Sequence, residues 1–309
     1  GGGDAGLYDF VRFLGLEGVE VVLRFATAER RAEELLRDAQ GFDRIVAAGG
    51  DGTVSAVCYA TRSTGVPVLV YPTGTANLLA LNLRMPTDPP ALSQVLLRGE
   101  AVGFDLCELE MTGSNGAPSR SGFTIMAGAG YDATIMHGAE ALKSTFGAAA
   151  YLLSAVTNLT PTSARFSLVL DGEPVEEEGI AVLLANFARI QFDLPITPGS
   201  DPRDGILEIA VLKTKTVVGL LPAITAAVLD RVGDHPDRSP SVALYSAATV
   251  EVRSDPPLRM QCDGDALASL TPFTARVLPR AATLLVPAAS EYAAAATTRE
   301  GVGGESPAA

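Results

Sequence analysis

The sequence predicts an α/β domain with a parallel sheet, followed by a mostly antiparallel β-sandwich domain. The first hundred residues alternate apolar runs with amphipathic stretches, which is typical of parallel strands covered by helices. After Phe104 the apolar runs shorten and turn signals such as Asp171-Gly172 separate them, which favours antiparallel strands. A length of 309 residues fits two domains. We therefore expect domains at residues 1–104 and 105–288, with a disordered tail at 289–309.

In the first domain each predicted strand is followed by a helix. Thr27 is placed to cap the first of these helices. The predicted strands are Val19 to Arg24, Arg44 to Ala48 and Val66 to Tyr71, and the predicted helices are Ala28 to Ala39, Val54 to Ala60, Leu78 to Leu83 and Leu92 to Leu97. The loops that connect strand to helix then lie on one edge of the sheet.

In the second domain short apolar runs alternate with turn residues. The predicted strands are Phe123 to Ala127, Arg165 to Leu170, Ile180 to Asn186, Ile206 to Leu212, Thr249 to Arg253 and Thr274 to Val277. Two helical stretches interrupt them, near Ala139 to Asn158 and Val217 to Val232.

Composition excludes several classes of protein. The 36 acidic against 23 basic residues give a formal charge of −13, the opposite of what neutralising nucleic-acid phosphates requires. Three cysteines without a CxxC pair do not support a disulfide framework or a thiolate zinc site. The longest apolar stretch, Val217 to Leu229, is shorter than the ~20 residues of a membrane span. We expect a cytoplasmic protein that at most contacts membranes peripherally.

The first glycine-rich loop follows the predicted strand that ends at Ala48. It reads Gly49-Gly50-Asp51-Gly52-Thr53 and runs into a helix. Glycines allow the backbone to approach a phosphate, and the free amides at a helix start favour an anion. Because phosphates repel a carboxylate unless a cation lies between them, Asp51 points to magnesium together with a nucleotide.

A second loop of small residues follows the next strand. It reads Pro72-Thr73-Gly74-Thr75-Ala76-Asn77. Loops that follow neighbouring parallel strands open on the same edge of a sheet, so the hydroxyls of Thr53, Thr73 and Thr75 are expected to converge on one polyphosphate.

These loops and three later motifs resemble the diacylglycerol kinase catalytic-domain family, which includes soluble bacterial diacylglycerol kinases and the sphingosine and ceramide kinases. The resemblance extends from about residue 16 to 287 and follows the family's order. The later motifs are Gly128-Ala129-Gly130-Tyr131-Asp132-Ala133, Asp201-Pro202-Arg203-Asp204-Gly205-Ile206-Leu207 and Asp263-Gly264-Asp265. The fold implied is the one shared by NAD kinases and diacylglycerol kinases.

The resemblance implies an enzyme that transfers the γ-phosphoryl group of ATP to a lipid hydroxyl, with the nucleotide between the two domains. Asp51 then acts at the magnesium and phosphate site. The residues implied in nucleotide binding are Gly49, Gly50, Gly52, Thr53, Thr73, Gly74, Thr75 and Asn77.

The resemblance also assigns acids in the second domain. Asp204 matches an acid near a metal, and the implied metal set is Asp204, Ile206 and, more weakly, Asp201. Asp265 stands where the family has Glu and is the implied general base, one methylene shorter. Asp263 is counted with these acids as a magnesium or catalytic group. The alternative is that Asp263-Gly264-Asp265 is only a hairpin turn.

Other possibilities remain open. Gly1-Gly2-Gly3 looks like the end of the family's first nucleotide loop without the strand that precedes it, so either the sequence is truncated there or this member lacks part of the nucleotide site. An NAD kinase would share the first glycine loop, although no Asn-Glu pair follows. A nucleotide- or lipid-binding regulatory protein would keep the fold without catalysis. Diacylglycerol is the leading acceptor, docking on a membrane is expected to be weakly electrostatic, and the oligomeric state, a homodimer included, is left open.

Overall fold

The computed structural model describes residues 3–27, 31–113, 116–130, 161–187, 189–190, 194–195, 201–214 and 241–294. The chain divides into two compact units. The first unit contains Gly1–Phe104 together with Arg280–Ala309, and the second contains Asp105–Pro279. Residues 280–288, which the sequence assigned to the second domain, thus belong to the first unit.

The first unit is an α/β structure. Its elements are α1 (Gly3–Leu16), α2 (Ala32–Leu35), a 3-10 turn (Ala39–Gly41), β1 (Ile45–Gly49), α3 (Asp51–Thr61), β2 (Val68–Pro72), α4 (Leu78–Asn82) and α5 (Pro89–Arg98). Strands β1 and β2 are parallel, with Ile45 opposite Val68 and Gly49 opposite Pro72. Strand β16 (Phe273–Val286) returns to this sheet, where Leu284 pairs in parallel with Val68. This pairing is the reason why the segment after Arg280 belongs to the first unit.

Two of the predictions for the first unit are wrong. Residues 19–25 form no strand, since no described segment pairs with them. Of the helix expected over Ala28 to Ala39, residues 28–30 lie outside the described part of the chain, and the remainder contains only α2 and the start of the 3-10 turn. The carbonyl of Leu35 accepts a hydrogen bond from Arg24, and the amide of Ala39 bonds to Leu36 at 3.1 Å instead of continuing the α-helical pattern to Leu35. The other predicted strands and helices of this unit are present within a few residues of their expected bounds.

The start of the expected tail is packed. Ser290 and Ala293 are buried. The ring of Tyr292 meets the ring of Phe104 edge to face, with centroids 5.1 Å apart. Residues from 295 onward lie outside the described part of the chain.

The second unit is a β-sandwich, which confirms the predicted fold class. Parts of β16 and of β3 (Glu100–Thr112) belong to it. Its other strands are β4 (Pro118–Phe123), β5 (Met126–Gly130), β6 (Ala164–Leu170), β7 (Glu173–Gly179), β8 (Ala181–Ala185), β9 (Arg189–Ile190), β10 (Leu194–Pro195), β11 (Leu207–Leu212), β12 (Val242–Ala247), β13 (Thr249–Asp255), β14 (Arg259–Cys262) and β15 (Asp265–Leu270). One sheet has the order β7-β6-β13-β16-β3-β4 and the other β12-β11-β8-β5-β14-β15.

The core of the sandwich lies between these two sheets. Alternate residues of the facing strands point into it, as in β6, where Phe166 and Leu168 are buried while Arg165 is exposed. The same cluster contains buried side chains of β3, β4, β5, β8, β11, β13, β14 and β16. Cys107 and Cys262 belong to this core, and burial raises the pKa of both thiols well above the ordinary value.

A polar contact joins the two sheets at one edge. The hydroxyl of Tyr245 in β12 donates to Glu177 in β7 at 2.5 Å, and Lys213 forms an ion pair with the other oxygen of Glu177 at 3.0 Å. Burial and the hydrogen bond to Glu177 raise the pKa of Tyr245 to about 12. Burial alone would raise the pKa of Glu177, but hydrogen bonds from Tyr245 and Lys213 outweigh it and lower this pKa.

One predicted strand of the second unit is misplaced. The run Phe123 to Ala127 is interrupted at Thr124 and Ile125, between β4 and β5. The amides of these residues bond to a side chain, described below, instead of to a neighbouring strand. The two helices predicted near 139–158 and 217–232 fall outside the described residues. No helix among the residues described is both long and apolar enough to cross a membrane.

Candidate active site

The first glycine loop joins β1 to α3, as predicted. Gly50 is the last residue before α3, and its carbonyl accepts the amide of Val54 at 3.1 Å. The amides of Gly52 and Thr53, in the first turn, therefore have no carbonyl partner within the helix. The side chain of Thr53 is exposed. A β-carbon on Gly49 would lie only 2.5 Å from the β-carbon of Thr53, so glycine is required where the strand meets the helix.

The second loop lies directly against the first. The amide of Thr73 donates to the carbonyl of Gly49 at 3.2 Å, where β2 ends beside β1. A β-carbon on Gly74 would come within 2.5 Å of the α-carbon of Gly50, so the two backbones are in contact. Thr73 and Thr75 are exposed on this loop. The structure therefore brings together the two loops that the sequence singled out.

Asp51 connects these two loops. Its carboxylate accepts the amide of Leu78 on one oxygen and that of Leu79 on the other, both at 2.9 Å. Leu78 and Leu79 begin α4, and the residue before them, Asn77, gives that helix no side-chain cap. Asp51 is only 8% exposed. Its carboxylate thus satisfies the helix start that the second loop leads into.

Asn77 holds the second loop in shape. Its side-chain oxygen accepts the amide of Gly74 at 2.9 Å, and its side-chain nitrogen donates to the carbonyl of the same residue at 2.7 Å. Asn77 adopts a left-handed backbone conformation with φ 48°, which Asn tolerates better than most residues. The side chain predicted to contact phosphate therefore contacts the loop backbone.

In the second unit, Asp263-Gly264 is the turn of the β14–β15 hairpin. Cys262 pairs with Asp265 across it. Both turn residues have positive φ, 45° and 88°, as a two-residue type I′ turn requires. The hairpin alternative is therefore correct as local structure, and it leaves Asp265 exposed as the first residue of β15.

The Asp263 carboxylate is turned inward from this hairpin. One oxygen accepts the amide of Thr124, and the other accepts those of Ile125 and Met126, all at 2.9 Å. These three bonds interrupt the strand predicted at this point. Asp263 is 9% exposed and its carboxylate is engaged by these three backbone amides, and the magnesium or catalytic role expected from the sequence stays a prediction.

The acidic turn, residues 201–206, precedes β11. Asp201 forms a two-pronged ion pair with Arg203, at 2.8 and 3.0 Å. Asp204 accepts the amide of Ile206 at 2.9 Å on one oxygen. Partial burial, together with the nearby carboxylates of Asp201 and Asp105, raises the pKa of Asp204.

These features test whether the acidic turn suits a cation. Crowded negative charge at Asp204 is the environment that a bound cation would relieve. Both oxygens of Asp201 already face Arg203, so Asp201 suits a metal poorly. No group of three or more His, Cys, Asp or Glu side chains in the described ranges could hold a metal ion. Asp204 and the carbonyl of Ile206 still fit Mg²⁺, which keeps several waters and takes few protein ligands.

Two residues of this site were missed by the sequence analysis. Asp105 in β3 is 1% exposed, and its carboxylate accepts the amide of Gly205 at 2.6 Å. Asn186, directly after β8, is fully buried and donates to the carbonyls of Asp105 and Thr124, each at 2.9 Å. The sequence signal that could have indicated these two buried polar residues is a polar residue within or directly after an apolar run, as in Phe104-Asp105-Leu106 and Leu184-Ala185-Asn186.

Comparisons with known proteins agree with this architecture. The sequence matches the diacylglycerol kinase catalytic domain over residues 2–109 and the YegS C-terminal NAD kinase beta sandwich-like domain over residues 125–286. A diacylglycerol kinase of Mycobacterium tuberculosis is 29% identical over 279 residues, covering 87% of this chain and 86% of that protein. An uncharacterised protein of Synechocystis is 27% identical over 87% of this chain, which spans only 59% of that protein's length.

The fold is also known from solved structures. A putative diacylglycerol kinase from Bacillus anthracis superposes with a TM-score of 0.70 over 93% of each chain, at 18% identity. The chain therefore belongs to the diacylglycerol kinase catalytic-domain family, with a second domain of the YegS type. It is a phosphotransferase with an alcohol acceptor. Membership implies the use of ATP and a lipid substrate, usually with a divalent metal.

Proposed function

We propose that this protein transfers the γ-phosphoryl group of ATP to the hydroxyl of a lipid alcohol, with diacylglycerol as the leading acceptor. The observation that carries the proposal is the contact between Gly50 and Gly74, which presents two small-residue loops side by side. Phosphoryl transfer depends mostly on positioning and charge stabilisation. Backbone amides at a helix start and exposed threonine hydroxyls are groups suited to hold phosphate oxygens.

In this proposal the loop residues Gly49, Gly50, Gly52, Thr53, Thr73, Gly74 and Thr75 surround the phosphates of ATP. Asn77 contributes by fixing the backbone of Gly74. Asp51 acts as a positioning residue at the phosphate site, because its carboxylate is occupied by the amides of Leu78 and Leu79. Its negative charge also calls for a counter-charge near the phosphates.

Asp265 is the proposed general base. It is exposed at the end of a tight turn, where its carboxylate can reach a hydroxyl brought in by the acceptor. The base accepts the hydroxyl proton as the oxygen attacks the γ-phosphorus and ADP leaves. The rigid turn at Asp263-Gly264 sets the direction in which Asp265 projects.

Mg²⁺ is the proposed metal, held by the Asp204 carboxylate and the Ile206 carbonyl, with Asp201 contributing charge nearby. When bound, such an ion supplies positive charge against the phosphates and the crowded carboxylates. Asp204 has one oxygen bonded to the amide of Ile206, which fixes the orientation of its carboxylate.

The direct test is transfer of label from γ-labelled ATP with Mg²⁺. Acceptors are diacylglycerol, sphingosine and ceramide in mixed micelles and, separately, NAD. We expect labelled lipid with the wild type, little with Asp265→Asn, and wild-type labelling with Asp171→Asn, whose turn lies at another hairpin. Label on NAD alone would assign the chain to the NAD kinases. ATP binding without label on any acceptor would instead indicate a regulatory protein.

A lipid acceptor requires contact with a membrane surface, which we propose is peripheral. Exposed apolar side chains of the first unit are available for it: Tyr8, Leu16, Val22, Leu23 and Phe25 are each more than half exposed. The formal charge of −13 argues against attraction to anionic lipid. Co-sedimentation with vesicles should therefore depend little on their anionic fraction, and sedimentation equilibrium would report whether the protein is a homodimer.

A further inference from the structure

Buried groups of the second unit form a continuous chain of hydrogen bonds between the Asp263 turn and the acidic turn. The Asp263 carboxylate accepts the amide of Thr124, and the carbonyl of Thr124 accepts the side-chain nitrogen of Asn186. That nitrogen also donates to the carbonyl of Asp105, whose carboxylate accepts the amide of Gly205. Each of these bonds is between 2.6 and 2.9 Å long. Gly205 directly follows Asp204, and Asp263 is two residues from Asp265.

Asn186 is the centre of this chain. One nitrogen of its side chain binds two carbonyls that are 19 positions apart in sequence, those of Asp105 and Thr124. The backbone amide of Asn186 donates to the carbonyl of Ile125 at 2.9 Å, which is a second bond from Asn186 to the segment that contains Thr124. Because Asn186 is fully buried, water cannot replace either side-chain bond when it is broken.

Asp105 holds the acidic turn at two points. Its amide donates to the carbonyl of Pro202 at 2.8 Å, and its carboxylate accepts the amide of Gly205 at 2.6 Å. These points lie on either side of Asp204. A displacement of Asp105 therefore moves the whole segment that carries Asp204.

We propose that Asn186 is a positioning residue that couples the Asp265 hairpin to the Asp204 turn. The catalytic consequence of this coupling rests on the phosphoryl transfer proposed above. The coupling of the two turns is a structural statement and does not depend on that function. Asn186 fixes the backbone of residues 124–126, whose amides bond to the Asp263 carboxylate. Through its bond to Asp105 it also fixes the turn that carries Asp204.

The test is amide hydrogen exchange on the full chain, comparing Asp263→Asn with Asp171→Asn. The two aspartates are a matched pair. Each begins an Asp-Gly turn with positive φ, 45° at Asp263 and 49° at Asp171. The carboxylate of Asp171 also accepts backbone amides, from Ala248 at 3.1 Å and Thr249 at 2.8 Å. The two differ in that the buried Asp263 accepts three amides and that Asp171 is exposed. Each substitution replaces one accepting oxygen with a donor.

Coupling predicts a remote effect of one substitution and not of the other. Asp263→Asn should accelerate exchange at 124–126 and, by about tenfold, at 203–206. Asp171→Asn should accelerate exchange at 248–249 and leave 203–206 unchanged. Faster exchange at 124–126 with unchanged exchange at 203–206 would overturn the coupling.

A second variant removes the link itself. Asn186→Leu keeps the branched shape and the number of side-chain heavy atoms, although leucine is larger, and it loses both donors. It should accelerate exchange at 124–126 and at 203–206 together. If Asn186→Leu does not fold, the Asp263→Asn comparison still decides the question. Accelerated exchange at only one turn in Asn186→Leu would contradict the proposal.

The kinetic consequence is a fall in kcat without a matching change in the KM for ATP. Misplacement of a reacting group by a fraction of its diameter lowers the rate of the chemical step by about 10- to 100-fold. We expect kcat to fall by this factor in Asp263→Asn. Wild-type kcat is expected for Asp171→Asn, and equal losses in both variants would indicate a merely structural effect. If the wild type labels no acceptor, the proposed function fails while the exchange result still tests the coupling.

Discussion

The backbone of Gly74 lies against that of Gly50, so closely that a β-carbon on Gly74 would come within 2.5 Å of the α-carbon of Gly50. The reverse substitution is sterically different, since a β-carbon on Gly50 would lie at 3.6 Å from the α-carbon of Gly74, an ordinary contact. The contact is what places the two proposed phosphate loops beside each other.

Gly74→Ala is therefore expected to force the loops apart. The free energy of unfolding should fall by about 1–3 kcal/mol, as for other overpacked sites, and ATP affinity should weaken. Chemical denaturation and calorimetric titration with ATP measure the two effects. Gly50→Ala is the matched control for stability and should stay close to the wild type. Equal destabilisation by both substitutions would show that the asymmetry of the contact is unimportant.

Asp51→Asn should destabilise the protein even without metal. One of the amides of Leu78 and Leu79 would face a side-chain NH₂ group, at a cost of about 1–3 kcal/mol for a buried unsatisfied donor. Denaturation in the presence of a chelator measures this cost. Asp88→Asn is the control, because Asp88 caps α5 through the amide of Ala91 and Asn caps helices equally well. An unchanged stability with altered metal dependence would favour a metal ligand instead.

The first unit shows which structural features could be predicted from sequence patterns and which could not. The loops after β1 and β2 were predictable because glycine and small residues directly followed buried apolar runs. Val19 to Arg24 has the composition of a strand, yet a strand also needs a partner, which composition does not reveal. In the described part of the helix expected over Ala28 to Ala39, α2 ends at Leu35, whose carbonyl accepts a hydrogen bond from Arg24 that the local sequence does not reveal.

In the second unit the sequence identified several acids but not the contacts that hold them in place. Asp204 and Asp265 were found through motifs, whereas Asp105, Asn186 and Asp263 are connected across 62 to 139 positions of sequence. Such contacts follow from the pairing of strands, which no single motif contains. The interruption at Thr124 is another example, because only the position of Asp263 explains it.

Asp265→Asn should lower kcat by about 10²- to 10⁴-fold, the range for loss of a general base. Because the side chain is exposed, the melting temperature should not change. Asp265→Glu adds one methylene and keeps the carboxylate, so we expect it to retain activity. Steady-state kinetics with the lipid acceptor distinguish the variants, and full activity in Asp265→Asn would remove this residue from the mechanism.

Asp204→Asn should raise the Mg²⁺ concentration needed for half-maximal activity by at least about tenfold. Removing the carboxylate removes the main proposed ligand of the ion. Asp201→Asn should have a much smaller effect, since Asp201 is already paired with Arg203. Metal titrations of activity, together with Mn²⁺ binding measured by paramagnetic resonance, test both variants. Identical titrations for Asp204→Asn and the wild type would move the metal elsewhere.

The raised pKa of Tyr245 predicts that the protein loses stability at alkaline pH. Its pKa of about 12 lies above the ordinary value of 10.0. The unfolded chain therefore releases the proton first, and the stability due to this group is full below pH 10.0 and lost as the pH rises to about 12. Tyr245→Phe should lack this part of the decline, as followed by melting temperature against pH. Tyr8→Phe, at an exposed tyrosine, should decline like the wild type.

The return of β16 to the first unit affects how the protein is made. The ribosome releases residues 1–104 long before it synthesises Leu284, the residue that pairs with Val68 of β2. The two segments of the first unit are thus synthesised separately, with the whole sandwich synthesised between them. Until the segment from Arg280 onward has been synthesised, the edge of β2 that pairs with Leu284 is uncovered, so the first unit is completed only after the whole sandwich has been synthesised.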